Sequence, residues 1–207
     1  MKSSAAPKRA YRLGARARAA EQTAERIIAA FRRRIALDWY DVITLEEIAL
    51  EAGVTVATII RRFGGKERLL ETAWDRFNQE ITARRTVAPG DLDGAVRVIV
   101  DDYEAVGDVI MRALMQEERI AALKRVNDRG RAFHRAWIEQ SFAPWLGELS
   151  AAARRQRVDA LVAATDLYTW KLVRRDMGRS PQHVRTLMRQ LLNGALGLAG
   201  ARSGETP

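Results

Sequence analysis

The sequence contains no cysteine, which excludes disulfides, thiolate metal sites and a cysteine nucleophile. Its two histidines, His134 and His183, stand far apart, so neither a histidine-rich metal site nor most histidine-based catalysis is expected. No apolar run approaches the ~20 residues needed to span a bilayer. The basic N-terminus also lacks the apolar stretch of a signal peptide, so a cytoplasmic protein without a membrane partner is expected. Catalytic signatures are missing too: there is no Glu-x-x-His pair, no paired-carboxylate motif and no glycine-rich phosphate loop. The adjacent acids Asp101-Asp102 and Glu117-Glu118 would diverge by roughly 100° on a helix. No enzyme, cofactor or metal is expected.

What is present is an ordinary folded composition: 207 residues, 47% hydrophobic and 29% charged, enough for one domain or two small ones. Thirty-five basic against 26 acidic side chains give a net charge of +9. That imbalance suits a polyanion, nucleic acid first and an anionic membrane surface second. Most of the bases are arginine, a bias that a high-GC genome alone produces, so their placement says more than their number. Residues 1–20 carry Lys2, Lys8, Arg9, Arg12, Arg16 and Arg18, with no acid before Glu21. This arm has two readings. Lys8, Arg9 and Arg12 could enter a minor groove or lie along DNA phosphates, or the segment could be a solubilising tail.

Strand-like alternation is missing nearly everywhere and helical spacing dominates. A first helix is expected from about Ala20 to Leu37, with Ile27, Phe31 and Ile35 on one face. Thr44-Leu45-Glu46-Glu47 then reads as a capping box. A short helix follows, and Gly53 ends it where a left-handed residue is cheapest. Thr55 is a second N-cap, and the helix VATIIRRF behind it would bury Ile59 and Phe63. It would leave Thr55, Ala57, Thr58, Arg61 and Arg62 facing out. Two short helices across a tight glycine turn match a helix-turn-helix; the competing reading is a plain helical hairpin with solvated arginines. Small residues at the start of the second helix would let backbone approach base edges, and the arginines could reach phosphates or guanines.

After Gly64-Gly65 a helix should run to about Arg85, and 86–90 form the clearest loop. Beyond it, helices are expected at about 91–107, 108–118, 120–149 with Pro144 as a kink or break, 151–177, and from Ser180-Pro181 to near Gly200. In the last helix Val184, Leu187, Leu191, Leu192, Ala195 and Leu198 form a wide apolar stripe. It would pair with a twofold mate, or pack within its own chain.

The string ITLEEIALEAGVTVATIIRRFGGKERLL at residues 43–70 closely resembles the tetracycline-repressor (TetR) family of transcription regulators. Ile48-Ala49, Ala52-Gly53-Val54, Thr58, Phe63 and Lys66-Glu67 carry the likeness, and DLYTWKLVRRDMG at residues 166–178 looks like a penultimate helix of such regulators. The resemblance implies an all-α chain in four parts: basic arm 1–19, helix-turn-helix head 20–66, connecting helix 67–85, and helical ligand-binding and dimerisation domain 86–207. It implies a homodimeric repressor on a palindromic double-stranded DNA operator, released by a small hydrophobic effector. Carried over by position, Thr44 and Thr55 look like phosphate-contacting caps, Val56, Ala57 and Thr58 face the major groove, and Lys66 clamps a phosphate. Ala57 and Ile60 depart from the family's common Gly and Tyr, which shifts backbone contact onto Arg61 and Arg62; Trp39 stands where a Gly commonly ends the first helix. The larger side chains expected to line an effector cavity are Tyr103, Met111, Met115, Phe133, His134, Trp137 and Trp170, several of which read equally as ordinary core. His134 could anchor a ligand or lie on the surface, and Trp170 could instead sit at a dimer interface. An apolar, aromatic-lined pocket of this kind suits an apolar ligand with few polar anchors.

Overall fold

The computed structural model describes the backbone of residues 6–198 and the side chains of residues 17–198. Among them every regular element is helical: α1 (Ala6–Leu37), α2 (Leu45–Ala52), α3 (Val56–Phe63), α4 (Lys66–Arg84), α5 (Leu92–Gln116), α6 (Ala121–Ser141), α7 (Ala151–Thr165), α8 (Leu167–Lys171) and α9 (Pro181–Leu196). A 3₁₀ turn at Ala143–Trp145 follows α6, and a single π turn at Leu172–Asp176 follows α8. The chain divides into two compact units, 1–76 and 77–207, with the division inside α4.

In the first unit the apolar spacing read from the sequence becomes a core. Ile27, Phe31, Ile48, Ile59, Leu69 and Leu70 are buried to 1% exposure or less. Arginines on α1 then fasten the neighbouring helices. Arg33 and Arg34 both donate to the Glu51 carboxylate on α2, and Arg26 Nε donates to the Ala52 carbonyl at the C-terminal end of α2. In the second unit α5 packs against α6, α8 and α9, and α7 packs against α6 and α9. Its core runs from Leu92 and Ile99 through Ile138, Phe142 and Leu161 to Met188 and Leu192.

Several boundaries differ from the sequence expectation, each for a local reason. The first helix begins at Ala6, well before Ala20. The two helices expected on either side of Gly107 are one, because Gly107 is a close-approach residue and not a stop. A Cβ there would lie 2.6 Å from the Trp170 ring. Trp170 is therefore core of its own unit, fully buried, with its indole N–H donating to Glu104 at 2.8 Å. The helix expected over 120–149 ends at Ser141, and Pro144 sits in the 3₁₀ turn. The helix expected over 151–177 breaks at Asp166, whose carboxylate caps the next helix by accepting the Tyr168 amide. The last helix ends at Leu196.

The apolar stripe of α9 also divides. Val184 and Leu192 are fully buried in their own unit together with Met188, at four-residue spacing. Only Leu191 and Leu198 are exposed, and Leu187 and Ala195 are half-buried against the core.

Adding one methyl group at the Gly107–Trp170 contact should strain a packed core. Gly107→Ala is expected to lower unfolding stability by about 1–3 kcal/mol, read as a shifted urea midpoint with unchanged slope.

Candidate nucleic-acid interface

The head is built from caps. Thr44 Oγ1 accepts the Glu47 amide at 3.2 Å while the Glu47 carboxylate accepts the Thr44 amide at 2.9 Å, so both halves of the capping box are made. These bonds hold the Glu47 carboxyl below its ordinary range. Gly53 takes φ 65°, a left-handed turn that lets its amide and that of Val54 close on the carbonyl ends of α2. Thr55 caps α3 by accepting the Thr58 amide at 3.2 Å, and the two hydroxyls lie 3.0 Å apart. With Ile59 and Phe63 turned into the core, α3 presents Thr55, Ala57, Ile60 and Arg61 to solvent and leaves Val56 and Thr58 half-buried. Two capped short helices with an exposed face of small residues and a cation make a helix-turn-helix. Its second helix has the shape and chemistry to enter a major groove.

The cations of this face are not equivalent. Arg62 is held by Glu21 at 2.8 Å, and the same carboxylate takes Arg76, which also pairs with Glu25. Among the described residues no carboxylate pairs with Arg61. Lys66, expected to clamp a phosphate, is instead folded inward. Its Nζ donates to the carbonyls of Tyr40 at 2.7 Å, Asp41 at 3.4 Å and Ile43 at 2.6 Å, and lies 4.4 Å from the centre of the Tyr40 ring. All three ammonium hydrogens are thus engaged by the loop between α1 and α2. Burial lowers the Lys66 pKa, partly offset by the Asp41 and Glu47 charges. This is a loop-fastening role that the bare sequence spacing does not reveal. The exposed cation in the first turn of α4 is Arg68, which the motif reading passed over although it lies only two residues on. Lys8, Arg9 and Arg12 lie outside the residues whose side chains are described.

In the second unit the seven expected pocket residues do not converge. Tyr103 is buried and donates to the Thr165 carbonyl at 3.0 Å, and burial raises its pKa. Met111 and Trp170 are core, while Met115 is 67% exposed. His134 is buried rather than superficial, 3.1 Å from the Thr165 hydroxyl. That hydroxyl donates to the Leu161 carbonyl, so His134 Nε2 carries the hydrogen and donates. Its Nδ1 has no partner among the described residues. Burial, reinforced by the Arg85 charge, lowers the His134 pKa from 6.5 to about 3. Of the seven, Phe133 and Trp137 border a cavity of about 200 Å³ between the end of α4, the following loop and α6.

These features define the class: a helical DNA-binding protein with a helix-turn-helix head and a separate helical unit following it in the chain. Residues 27–73 match the model of bacterial regulatory proteins of the tetR family. The head is thus of the kind found in TetR-family transcription regulators, a DNA-binding class. No sequence relative was found among curated proteins. Two solved structures share the fold. One, a candidate transcriptional regulator from Streptomyces coelicolor A3(2), is 23% identical with a TM-score of 0.60, covering 84% of this chain and 98% of that one. The other, a candidate transcriptional regulator from Pseudomonas aeruginosa PAO1, is 18% identical with a TM-score of 0.61, covering 86% and 90%. Among the described residues no helix is long and apolar enough to cross a membrane, and no acid, histidine and cysteine cluster could hold a metal ion.

Arg61→Ala is expected to weaken specific DNA binding about tenfold or more, whereas Arg62→Ala should change it less than about threefold; fluorescence anisotropy on a specific site reads both. Lys66→Met should lower stability by about 1–3 kcal/mol through stranded loop carbonyls, while the salt dependence of DNA binding by the folded protein stays unchanged. His134 binds a proton readily only when unfolded, so the unfolded chain holds more protons between its two pKa values. Stability is therefore complete above pH 6.5 and falls as the pH drops towards 3, at up to about 1.4 kcal/mol per pH unit. Chemical denaturation at pH 7.0, 6.0 and 5.0 should show this decline, and His134→Gln should lessen it.

Proposed function

We propose that this regulator binds a palindromic operator as a homodimer, represses the genes beside it, and leaves the DNA when a small molecule occupies its helical unit. On this reading it acts in the cytoplasm. The observation that carries the proposal is the doubly capped helix-turn-helix with Thr55, Ala57 and Arg61 on the open face of α3. Such a face suits base-edge readout, with Thr44 and Thr55 at helix N-termini placed for phosphates. Arg61 and Arg68 add cations, and the arm with Lys8, Arg9 and Arg12 adds a salt-dependent contact to the backbone.

Pairing of two chains is supported by apolar side chains left exposed towards the end of the second unit: Tyr168 at 57%, Leu172 at 47%, Leu191 at 42% and Leu198 at 45%. Leu191, on α9, is continuous with half-buried Leu187 and Ala195. Large exposed apolar groups concentrated on consecutive helices are the usual mark of an interface. Val184 and Leu192 support it from beneath, as core. The effector reading rests on the cavity beside Phe133 and Trp137.

Selection of bound genomic fragments should yield an imperfect palindrome of roughly one to two helical turns, bound about 10³-fold or more above random DNA. Uniform, salt-sensitive binding without a footprint would overturn operator readout. Leu191→Asp should give a monomer by analytical ultracentrifugation and weaken operator binding roughly a hundredfold or more. Removal of residues 1–18 should flatten the slope of affinity against salt.

A further inference from the structure

The cavity of the second unit has a lopsided chemistry. Its apolar walls are Val87, Phe133, Ala136 and the Trp137 ring, and its neutral polar groups are Thr82, Thr86, Gln140 and Ser141. The one charged side chain at its edge is Arg85, and no carboxylate lines it. Arg85 is only 5% exposed. Its guanidinium is positioned from behind: Nε donates to Asp102 Oδ2 at 2.6 Å, and its carbon lies 5.3 Å from the Tyr103 ring centre and 5.8 Å from that of Trp137. The backbone carbonyl of Arg85 accepts the Trp137 indole N–H at 2.8 Å, which locks the loop to α6.

Asp102 does not neutralise this arginine alone. Its other oxygen takes Arg84 Nε at 2.8 Å, so one buried carboxylate serves two guanidinium groups. Glu80, the other acid near Arg84, stands 4.0 Å away from it on an exposed face. Nε is the guanidinium nitrogen bonded to Asp102, and Arg85 is the one cation among the residues lining the cavity. The positive field is felt locally: the Arg85 charge helps keep the neighbouring His134 neutral.

We propose that this cavity binds a small organic carboxylate: a single flat apolar ring or branched chain lying against Trp137 and Phe133, its carboxylate accepting from Arg85. An arginine fork is the side chain best matched to a carboxylate. A cavity of about 200 Å³ is smaller than the 300–1,000 Å³ that drug-sized ligands occupy, which limits the body to roughly one ring. The apolar walls favour such a body over an inorganic anion. The inference gives the effector of the proposed function a chemical class, and only its regulatory consequence rests on that reading.

Benzoate, benzamide and chloride are the probes, titrated into the DNA-free full chain by calorimetry and tryptophan fluorescence. Benzoate should saturate and bind about tenfold or more tighter than neutral benzamide, the margin of one charge-assisted contact. Ala136→Trp, which fills the cavity from an exposed position, should abolish benzoate binding while the circular dichroism spectrum is unchanged. Arg85→Gln should erase the preference over benzamide; if that variant unfolds because Asp102 is stranded, the Ala136→Trp result still decides. No saturable binding of benzoate up to about 10 mM, equal binding of benzamide, displacement by chloride alone, or an Ala136→Trp protein that binds normally would each overturn the proposal. Benzoate binding with no change in operator affinity would leave the site standing and remove its role as effector site. Failure to find any operator would sink the repressor reading without touching the benzoate result.

Discussion

An arginine beside a carboxylate is committed to it, and that commitment decides which cations of this chain remain for partners. Thirty arginines are present, and many are spent internally. Glu51 holds Arg33 and Arg34, Glu21 holds Arg62 and Arg76, and Asp102 holds Arg84 and Arg85. Along the second unit Asp93, Asp101, Glu104 and Asp108 on α5 take Arg189, Arg185, Arg174 and Arg175. Exposed pairs of this kind each contribute at most about 1 kcal/mol. Their larger consequence is orientation, because a paired guanidinium cannot also reach a phosphate without giving up its partner.

The same competition explains the two polar centres. In the head, the loop between α1 and α2 has three carbonyls in need of donors, and Lys66 meets all three. A lysine suits this task because its ammonium is a compact group with three rotatable hydrogens. In the second unit, Asp102 shares its oxygens between two arginines, one of which, Arg85, lines the cavity. A buried carboxylate shared by two arginines and a half-buried lysine bonded to three carbonyls are opposite solutions to the same desolvation cost.

The π turn at Leu172–Asp176 belongs to this scheme. It directs Arg174 and Arg175 back onto Glu104 and Asp108, and the Arg175 guanidinium lies 4.6 Å from the Trp170 ring centre. Trp170 in turn occupies the space that Gly107 leaves open on α5. Helix α5, α8 and the π turn are thereby joined by one tryptophan with charged groups on both sides. The string of residues 166–178 could be recognised as helical, but its break at Asp166 and its widened turn depend on that packing.

By itself the sequence determined what is local. Caps at Thr44 and Thr55, the left-handed Gly53, the buried Ile59 and Phe63 and the open face of α3 follow from bonds and periodicity within a few residues. Those features are sufficient to place the head among those of the TetR family. Tertiary structure decided everything that depends on residues distant in the chain. It turned Lys66 inward to carbonyls some two dozen residues before it and gave Arg62 to Glu21. It buried His134 and Trp170, exposed Met115, and put only Phe133 and Trp137 of the expected pocket residues at the cavity. Helical periodicity specifies that a side chain faces inward, but it carries no information about which neighbour it meets there. A cavity and an ion pair are properties of that meeting.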